Sequence, residues 1–225
     1  MNIDTILKEL KKLRNPQNVE GMARYGINTE FALGINIPFL RNKAKEIGKN
    51  HELAIQLWET KIHEARLLAA FLDEPKLISR GQMNKWASGF NSWDLCDQVC
   101  NHLFRKTDFA YDKAVEWSKK KKEFVKRAGF VLMASLAVHS KELTNDDFLI
   151  FFKYIKSAAI DERNYVKKAV NWAVRQIGKR NLTLHKKALQ LSEEILKLDT
   201  KTSSWIAKNA IHELQSKKTI SRIKS

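Results

Sequence analysis

The chain has 225 residues and a hydrophobic content of 44%, which allows a substantial core and excludes an intrinsically disordered tail. Its 41 Lys and Arg against 25 Asp and Glu leave a net charge of +16, which favours a polyanionic partner, most simply nucleic acid. The alternative is that the charge serves only solubility.

Apolar residues recur at steps of three and four along nearly the whole chain, beginning with Leu7, Leu10 and Leu13. This periodicity predicts helices, and alternating β-strand patterns are scarce. The pattern breaks at short segments such as RNP, GIN, DEPK, LTNDD and GKRN. We therefore expect an all-α protein of about a dozen helices with short connections.

The first residues, MNIDTILKEL, are charged early and lack the apolar core of a signal peptide. The longest apolar run, residues 128–138, is too short to cross a bilayer. Cys96 and Cys100 lie one helical turn apart, so a disulfide framework is not expected. These features predict a soluble, cytoplasmic protein without membrane contact.

Three similar helical segments share one spacing, because Ala128, Ala169 and Ala210 are each 41 residues apart. This period is typical of HEAT-type repeats, whose short helices are stable only beside their neighbours. A further similar segment near Ala65 does not keep the spacing. We predict one HEAT-like helical-repeat domain over residues 1–225, forming a curved solenoid with a basic concave face. Residues 216–225 are interpreted as a loose basic tail.

The basic residues are clustered along the chain. Residues 119–127 hold six Lys or Arg and one acid, and residues 163–187 hold eight and no acid. Arg127, Lys168 and Lys208 start similar helices and are predicted to form a stripe that follows a phosphate backbone. The alternative is an ordinary solvated face. The predicted DNA contacts among these clusters are Lys126, Lys167, Lys168, Arg175, Lys179 and Arg180.

The stretch NSWDLCDQVC combines a tryptophan with two acids. Asn91 or Ser92 is predicted to cap a helix that begins at Trp93. Asp94 then lies in the first turn, where the helix dipole favours an anion. Asp97 lies one turn beyond Trp93, so the ring and this carboxylate share a face.

A second tryptophan has cationic neighbours at helical spacing. Lys168, Trp172 and Arg175 lie on one helical face, which places the indole between two cations. A buried core tryptophan is the alternative. The six histidines show no metal-ligand spacing, and neither a glycine-rich phosphate loop nor a dinucleotide fingerprint occurs. We expect no metal and no cofactor.

Four blocks in order resemble the bacterial DNA alkylation repair glycosylases with HEAT-like repeats, the AlkD family. They are MARYGINTEFALGI (22–35), SWDLCD (92–97), FVKRAG (124–129) and NYVKKAVNWAVRQIGK (164–179), and the resemblance covers most of the chain. The resemblance implies a helical solenoid that holds duplex DNA. It also implies hydrolysis of the N-glycosidic bond of cationic alkylated purines, such as 3-methyladenine and 7-methylguanine, with the lesion largely stacked.

The resemblance also implies roles for individual residues. Asp97 matches the family's catalytic carboxylate, and Trp93 and Trp172 match aromatic residues beside the lesion deoxyribose. Arg127 matches the essential phosphate-side arginine, and Tyr25 a flanking tyrosine in contact with the DNA. The chain departs from the pattern where Ser92 replaces a tryptophan of the best-known member.

Two other functions fit the same sequence. One is a non-catalytic scaffold that binds DNA or RNA, and the other is a helical-repeat module that binds acidic proteins. The partner expected first is duplex DNA containing alkylated purines. We expect a monomer with no obligate protein partner.

Overall fold

The computed structural model describes residues 2–223, and this part of the chain contains helices and no strand. The all-α prediction is therefore confirmed. Two 3₁₀ turns, Pro75–Leu77 and Phe104–Lys106, accompany the α-helices. The α-helices of the described residues are α1 (Ile3–Lys12), α2 (Pro16–Arg24), α3 (Ile37–Ile47), α4 (His51–Glu59), α5 (His63–Leu72), α6 (Arg80–Ser88), α7 (Trp93–His102), α8 (Ala110–Ser118), α9 (Glu123–His139), α10 (Asn145–Ala158), α11 (Asn164–Gly178), α12 (Leu182–Leu196), α13 (Lys201–Leu214) and α14 (Lys217–Ile220).

Most of these helices have a polar N-cap residue. Each accepts a hydrogen bond from a backbone N–H of the first turn, which satisfies a donor that has no partner inside the helix. The residues that cap in this way are Asn2, Asn15, Asn36, Asn50, Ser79, Thr144, Asn181, Thr200 and Ser216. Helices α5, α7, α8, α9 and α11 begin without such a bond.

The chain forms two compact units, Met1–Asp108 and Phe109–Ser225. In the first unit, α5 packs against α3, α4 and α7, and α1 contacts both α4 and α5. Trp58 and Trp86 stack with ring centroids 4.1 Å apart and nearly parallel planes. The single domain expected over residues 1–225 stays a prediction.

The second unit repeats one arrangement of paired helices. Helices α8 and α9, α10 and α11, and α12 and α13 form the pairs, while α9, α11 and α13 pack in succession. Ala128, Ala169 and Ala210 lie at the same place in these three helices, and all are fully buried. The spacing of 41 residues thus marks the small positions at which consecutive second helices meet their neighbours.

The predicted basic stripe does not continue into α13. Arg127 and Lys168 immediately precede the repeated alanines, but Asn209 holds that position in α13. Lys208 is one residue earlier, so it lies about 100° around the helix axis. This part of the sequence-based prediction is therefore wrong.

The C-terminal segment is partly helical. Ser216 caps α14, whose Thr219 is buried, so this part of the predicted tail is folded. Residues 224–225 of that tail lie outside the described residues. Among residues 2–223, no helix combines the length and apolar character needed to cross a membrane.

Candidate functional site

The start of α7 presents a tryptophan whose orientation is set by a hydrogen bond. The Trp93 Nε1–H donates to the backbone carbonyl of Tyr25, with 3.0 Å between the two atoms. Tyr25 follows α2, and its own side chain is 77% exposed. Asp97 lies one turn beyond Trp93 and is partly exposed. The bond therefore holds the indole at the protein surface, beside a carboxylate and an exposed phenol.

The second acid of this stretch has a different environment. Asp94 Oδ2 lies 2.8 Å from His63 Nε2, and Asp94 Oδ1 accepts a hydrogen bond of 2.6 Å from the Ser92 hydroxyl. Ser92 holds the N-cap position, but its side chain makes no bond to the helix backbone. The capping bond predicted for this serine is wrong, because the hydroxyl donates to the carboxylate instead.

His63 and Asp94 stabilise each other's charged forms. Burial disfavours protonation of His63, but the hydrogen bond and charge of Asp94 outweigh it and raise the pKa of the imidazole. Burial also opposes ionisation of Asp94, yet the bonds from His63 and Ser92 lower the pKa of its carboxyl group. The pair links the first residue of α5 to the first turn of α7.

The buried carboxylate of Glu64, next to His63, binds the backbone of residues 33–35. Glu64 is fully buried and accepts hydrogen bonds from the backbone N–H groups of Leu33, Gly34 and Ile35 at 2.8, 2.7 and 3.3 Å. Neither His63 nor Glu64 is among the site residues predicted from the sequence. Two adjacent ionisable residues at the start of the apolar segment HEARLLAAFL are the signal that could have indicated them.

In the second unit, Arg127 connects two helices. Its side chain is buried, with 6% of the residue exposed, and Nη1 donates a 2.7 Å hydrogen bond to the Tyr165 carbonyl. Tyr165 also packs against Phe124, with ring centroids 5.3 Å apart. Arg127 therefore joins α9 to α11, and its predicted contact with a phosphate stays a prediction.

Lys126, next to it, is paired with an acid from outside the basic clusters. Lys126 Nζ lies 2.8 Å from Asp161 Oδ2, and Arg163 binds both carboxylate oxygens of the same residue. The bonds from Arg163 and then Lys126 outweigh burial and hold the pKa of Asp161 well below its usual range. Lys126 thus shares one carboxylate with Arg163 within the protein.

A second acid balances the cations at the end of α11. Arg175 and Lys179 both form ion pairs with Glu213 of α13. Burial opposes ionisation of Glu213, but the hydrogen bonds from Lys179 and Arg175 outweigh it and lower its pKa. Residues 163–187 contain no acid of their own, but in the folded structure they contact Glu213 of α13.

Arg180 has structural partners. Its Nη1 donates to the Ala137 carbonyl at 2.9 Å, and its guanidinium lies 4.7 Å from the centre of the Phe148 ring. Burial lowers its pKa. The guanidinium thus satisfies a carbonyl near the end of α9, and its predicted DNA contact stays a prediction.

The outer part of α11 carries the remaining predicted contacts. Lys168 is exposed, and Trp172, one turn further, is partly exposed rather than fully buried. Lys167 Nζ lies 4.9 Å from the centre of the Trp205 ring, which is a cation–π contact. The predicted placement of Trp172 between Lys168 and Arg175 stays a prediction.

No group of three or more His, Cys, Asp or Glu side chains is close enough to hold a metal among residues 2–223. Cys96 and Cys100 are buried, free thiols inside α7.

Stacked helix pairs whose second helices pack in succession define a class of fold, the HEAT-like helical-repeat proteins. A solved structure of that class, described as a new family related to the HEAT-like repeat DNA glycosylases with affinity for branched DNA structures, matches this chain with a TM-score of 0.83. It is 22% identical, and the match covers 99% of this chain and 96% of that one. The HEAT-like fold is confirmed.

The chain belongs to the DNA alkylation repair enzyme family, whose family model matches residues 6–214. Two uncharacterized proteins are similar over most of their length, one from Listeria innocua serovar 6a and one from Listeria monocytogenes serovar 1/2a. Each is 23% identical over 202 residues, which is 88% of this chain and 88% of the relative.

Proposed function

We propose that the protein is a DNA glycosylase that hydrolyses the N-glycosidic bond of cationic N3- and N7-alkylated purines in duplex DNA. The observation that carries this proposal is the joint placement of Trp93 and Asp97 on the exposed part of α7, with the indole held by the Tyr25 carbonyl at 3.0 Å. The protein acts as a monomer without a cofactor, and water is the co-substrate.

The chemistry follows from the charge of the lesion. Alkylation makes the purine a cationic leaving group, and departure of the base leaves oxocarbenium character on the sugar, as in glycoside hydrolysis. The carboxylate of Asp97 stabilises this developing cation and orients the attacking water. The indole face of Trp93 favours a cationic nucleotide over a neutral one by about 0.5–2 kcal/mol.

His63 and Asp94 position this arrangement without touching the substrate. Their ion pair joins the start of α5 to the start of α7, while Glu64 anchors the backbone of residues 33–35. Asp94 is bonded to His63 and Ser92, whereas Asp97 lies one turn beyond Trp93 on the same face of α7. This placement beside the indole supports Asp97 as the catalytic carboxylate.

The second unit supplies further DNA contacts in this proposal. Trp172 and Lys168 lie on the outer part of α11, where an aromatic face and an ammonium group meet the strand. Arg127 orders α9 and α11 through the Tyr165 carbonyl. In this proposal the planar guanidinium of Arg127 also binds a phosphate oxygen.

Base release from a duplex with a single 7-methylguanine tests the proposal. We expect abasic-site formation by the wild-type protein, and a loss of about 10²–10³-fold in rate for Asp97→Asn. DNA affinity should change little in that variant. The control, Asp108→Asn, removes an exposed carboxylate and should leave the rate unchanged. Equal rates for the wild-type protein and Asp97→Asn would remove Asp97 from the mechanism.

A second candidate function is non-catalytic binding of branched DNA, the ligand named for the structural neighbour. The internal engagement of Arg127 supports it, since a buried arginine bonded to a carbonyl has fewer donors for a phosphate. This function predicts tighter binding to a four-way junction than to a matched duplex, and no release of methylated bases. Base release at a measurable rate would reject it.

A further inference from the structure

The first unit contains a basic pocket that the candidate site does not use. It has a volume of about 320 Å³ and lies between α3, α5 and the end of α7. Its cationic or potentially cationic lining residues are Arg41, Lys45, Lys49, His102 and Lys106, and the Phe71 ring forms an apolar wall. No carboxylate lines the pocket within the described part of the chain.

The cations of this pocket are held by neutral groups. Arg41 Nη2 lies 3.0 Å from His102 Nε2 and 3.3 Å from Gln98 Oε1. Lys49 Nζ donates to the carbonyls of Phe71 and Asp73 at 2.9 and 2.8 Å. These partners fix the positions of the cationic groups without cancelling their charge, whereas Glu213 offsets one of the two positive charges of Arg175 and Lys179.

Burial and mutual repulsion act on the lysines. Burial lowers the pKa of Lys49 against the opposing charges of Asp73 and Glu74. Partial desolvation by the pocket walls also lowers the pKa of Lys106, although its side chain reaches solvent, and the charges of Arg105 and Lys49 lower it further. A bound anion would relieve this cost, because an opposite charge favours the protonated form of each lysine.

The pocket and the candidate site occupy different faces of α7. Successive residues of a helix are separated by about 100° around the axis, so Trp93 and Asp97 share one side. Gln98 and His102, which contact Arg41, share a side roughly 100–180° away. A ligand in the pocket therefore does not occupy the surface that Trp93 and Asp97 present.

We propose that this pocket is a second DNA-binding site, which takes a backbone phosphodiester at a distance from the lesion. A guanidinium fork and several ammonium groups match phosphate oxygens, and the Phe71 wall fits the adjacent sugar. The net charge of +16 favours a polyanion over a small free anion. The inference rests on the DNA-binding part of the proposed function but not on catalysis.

The salt dependence of DNA affinity tests the site. Lys45 and Lys106 are exposed lining residues, so the double variant Lys45→Gln/Lys106→Gln removes two charges without disturbing the bonds of Arg41 and Lys49. Loss of the contact with the one phosphodiester in the pocket lowers the slope of log affinity against log salt by about 0.9. The control, Lys8→Gln/Lys12→Gln, removes two exposed charges from α1 and should change the slope much less.

Two results would overturn the proposal. One is an equal change of slope for the pocket variant and the α1 control, which would indicate a general charge effect. The other is an unchanged slope together with a thermal shift by inorganic phosphate that only the pocket variant loses, which would assign the pocket to a free anion. Base release by the same proteins is measured in parallel. Its absence would reject the glycosylase while a reduced slope still supports the pocket.

Discussion

His63 Nε2 and Asp94 Oδ2 lie 2.8 Å apart and join the first residue of α5 to the first turn of α7. His63 is almost fully buried, so this contact is shielded from solvent. The arrangement separates the two acids of α7 into a structural residue, Asp94, and a candidate catalytic residue, Asp97.

The His63–Asp94 pair predicts a pH dependence of stability. The folded-state pKa of His63 is raised above about 6.5, so the stabilisation is complete below that pH and is lost as pH rises through the raised pKa. The lowered pKa of Asp94 preserves its contribution above about 3.9, and it is lost only as pH falls through the lowered value. The pair therefore stabilises the fold most between about pH 4 and 6.5.

Between about pH 6 and pH 9, we expect the free energy of unfolding to fall less in His63→Gln than in the wild-type protein. Urea denaturation at several pH values measures it, and His212→Gln, which removes an exposed histidine, is the control. Parallel stability curves for the wild-type protein and His63→Gln would contradict the prediction.

Arg127 should contribute to both stability and DNA binding. Arg127→Met leaves the Tyr165 carbonyl without its charged donor and should lower the free energy of unfolding by about 1.5–3 kcal/mol. Arg127→Lys should regain most of that loss but bind DNA less tightly, because an ammonium lacks the planar fork. Arg14→Met, at an exposed arginine, should change stability by about 0.5 kcal/mol or less. Full DNA affinity in Arg127→Lys would exclude the phosphate role.

Removing an acid should strengthen DNA binding. Glu213→Gln releases Arg175 and Lys179 from their ion pairs, so two more cations become available to phosphates. We expect higher affinity at low salt and a slope against log salt that is steeper by up to about two. Glu194→Gln, which breaks the single ion pair with Lys156, is the matched control. Equal affinities for Glu213→Gln and the control would show that α11 does not contact DNA.

Two helical glycines should respond in opposite directions to alanine. A Cβ at Gly129 would lie 2.5 Å from the Ser118 backbone nitrogen, because α8 and α9 approach closely there. Gly129→Ala should therefore destabilise the protein by about 1–3 kcal/mol. Gly21 has open space around its added Cβ, so Gly21→Ala should stabilise α2 by about 0.5–1 kcal/mol. Thermal or urea unfolding measures both, and equal effects would contradict the packing explanation.

Local patterns were sufficient to predict much of the fold. The steps of three and four predict helices because an apolar face must be buried, and the 41-residue spacing of Ala128, Ala169 and Ala210 marks equivalent buried positions. The start of α7 at Trp93 was predicted correctly, but the hydrogen bond of Ser92 was not. The Ser92 hydroxyl can accept from a backbone N–H or donate to the Asp94 carboxylate, and sequence spacing does not show which bond forms.

The partners of the basic residues were also not predictable from sequence spacing. The chain neighbours of Arg175 and Lys179 include no acid, yet Glu213 of another helix forms ion pairs with both. The pocket around Arg41 was also missed, because it forms only where Arg41, Lys45 and Lys49 meet Phe71, His102 and Lys106 from later parts of the chain. Charge balance depends on distances in space, which the order of residues does not contain.

By itself, the sequence determined the helical class, the repeat spacing, the excess of positive charge and the shared face of Trp93 and Asp97, because these depend on local periodicity and composition. Only the tertiary structure decided which charges are neutralised, that Asp94 is paired with His63, and that Arg127 is buried against Tyr165. Those outcomes depend on contacts between helices, and such contacts form only when the apolar faces pack.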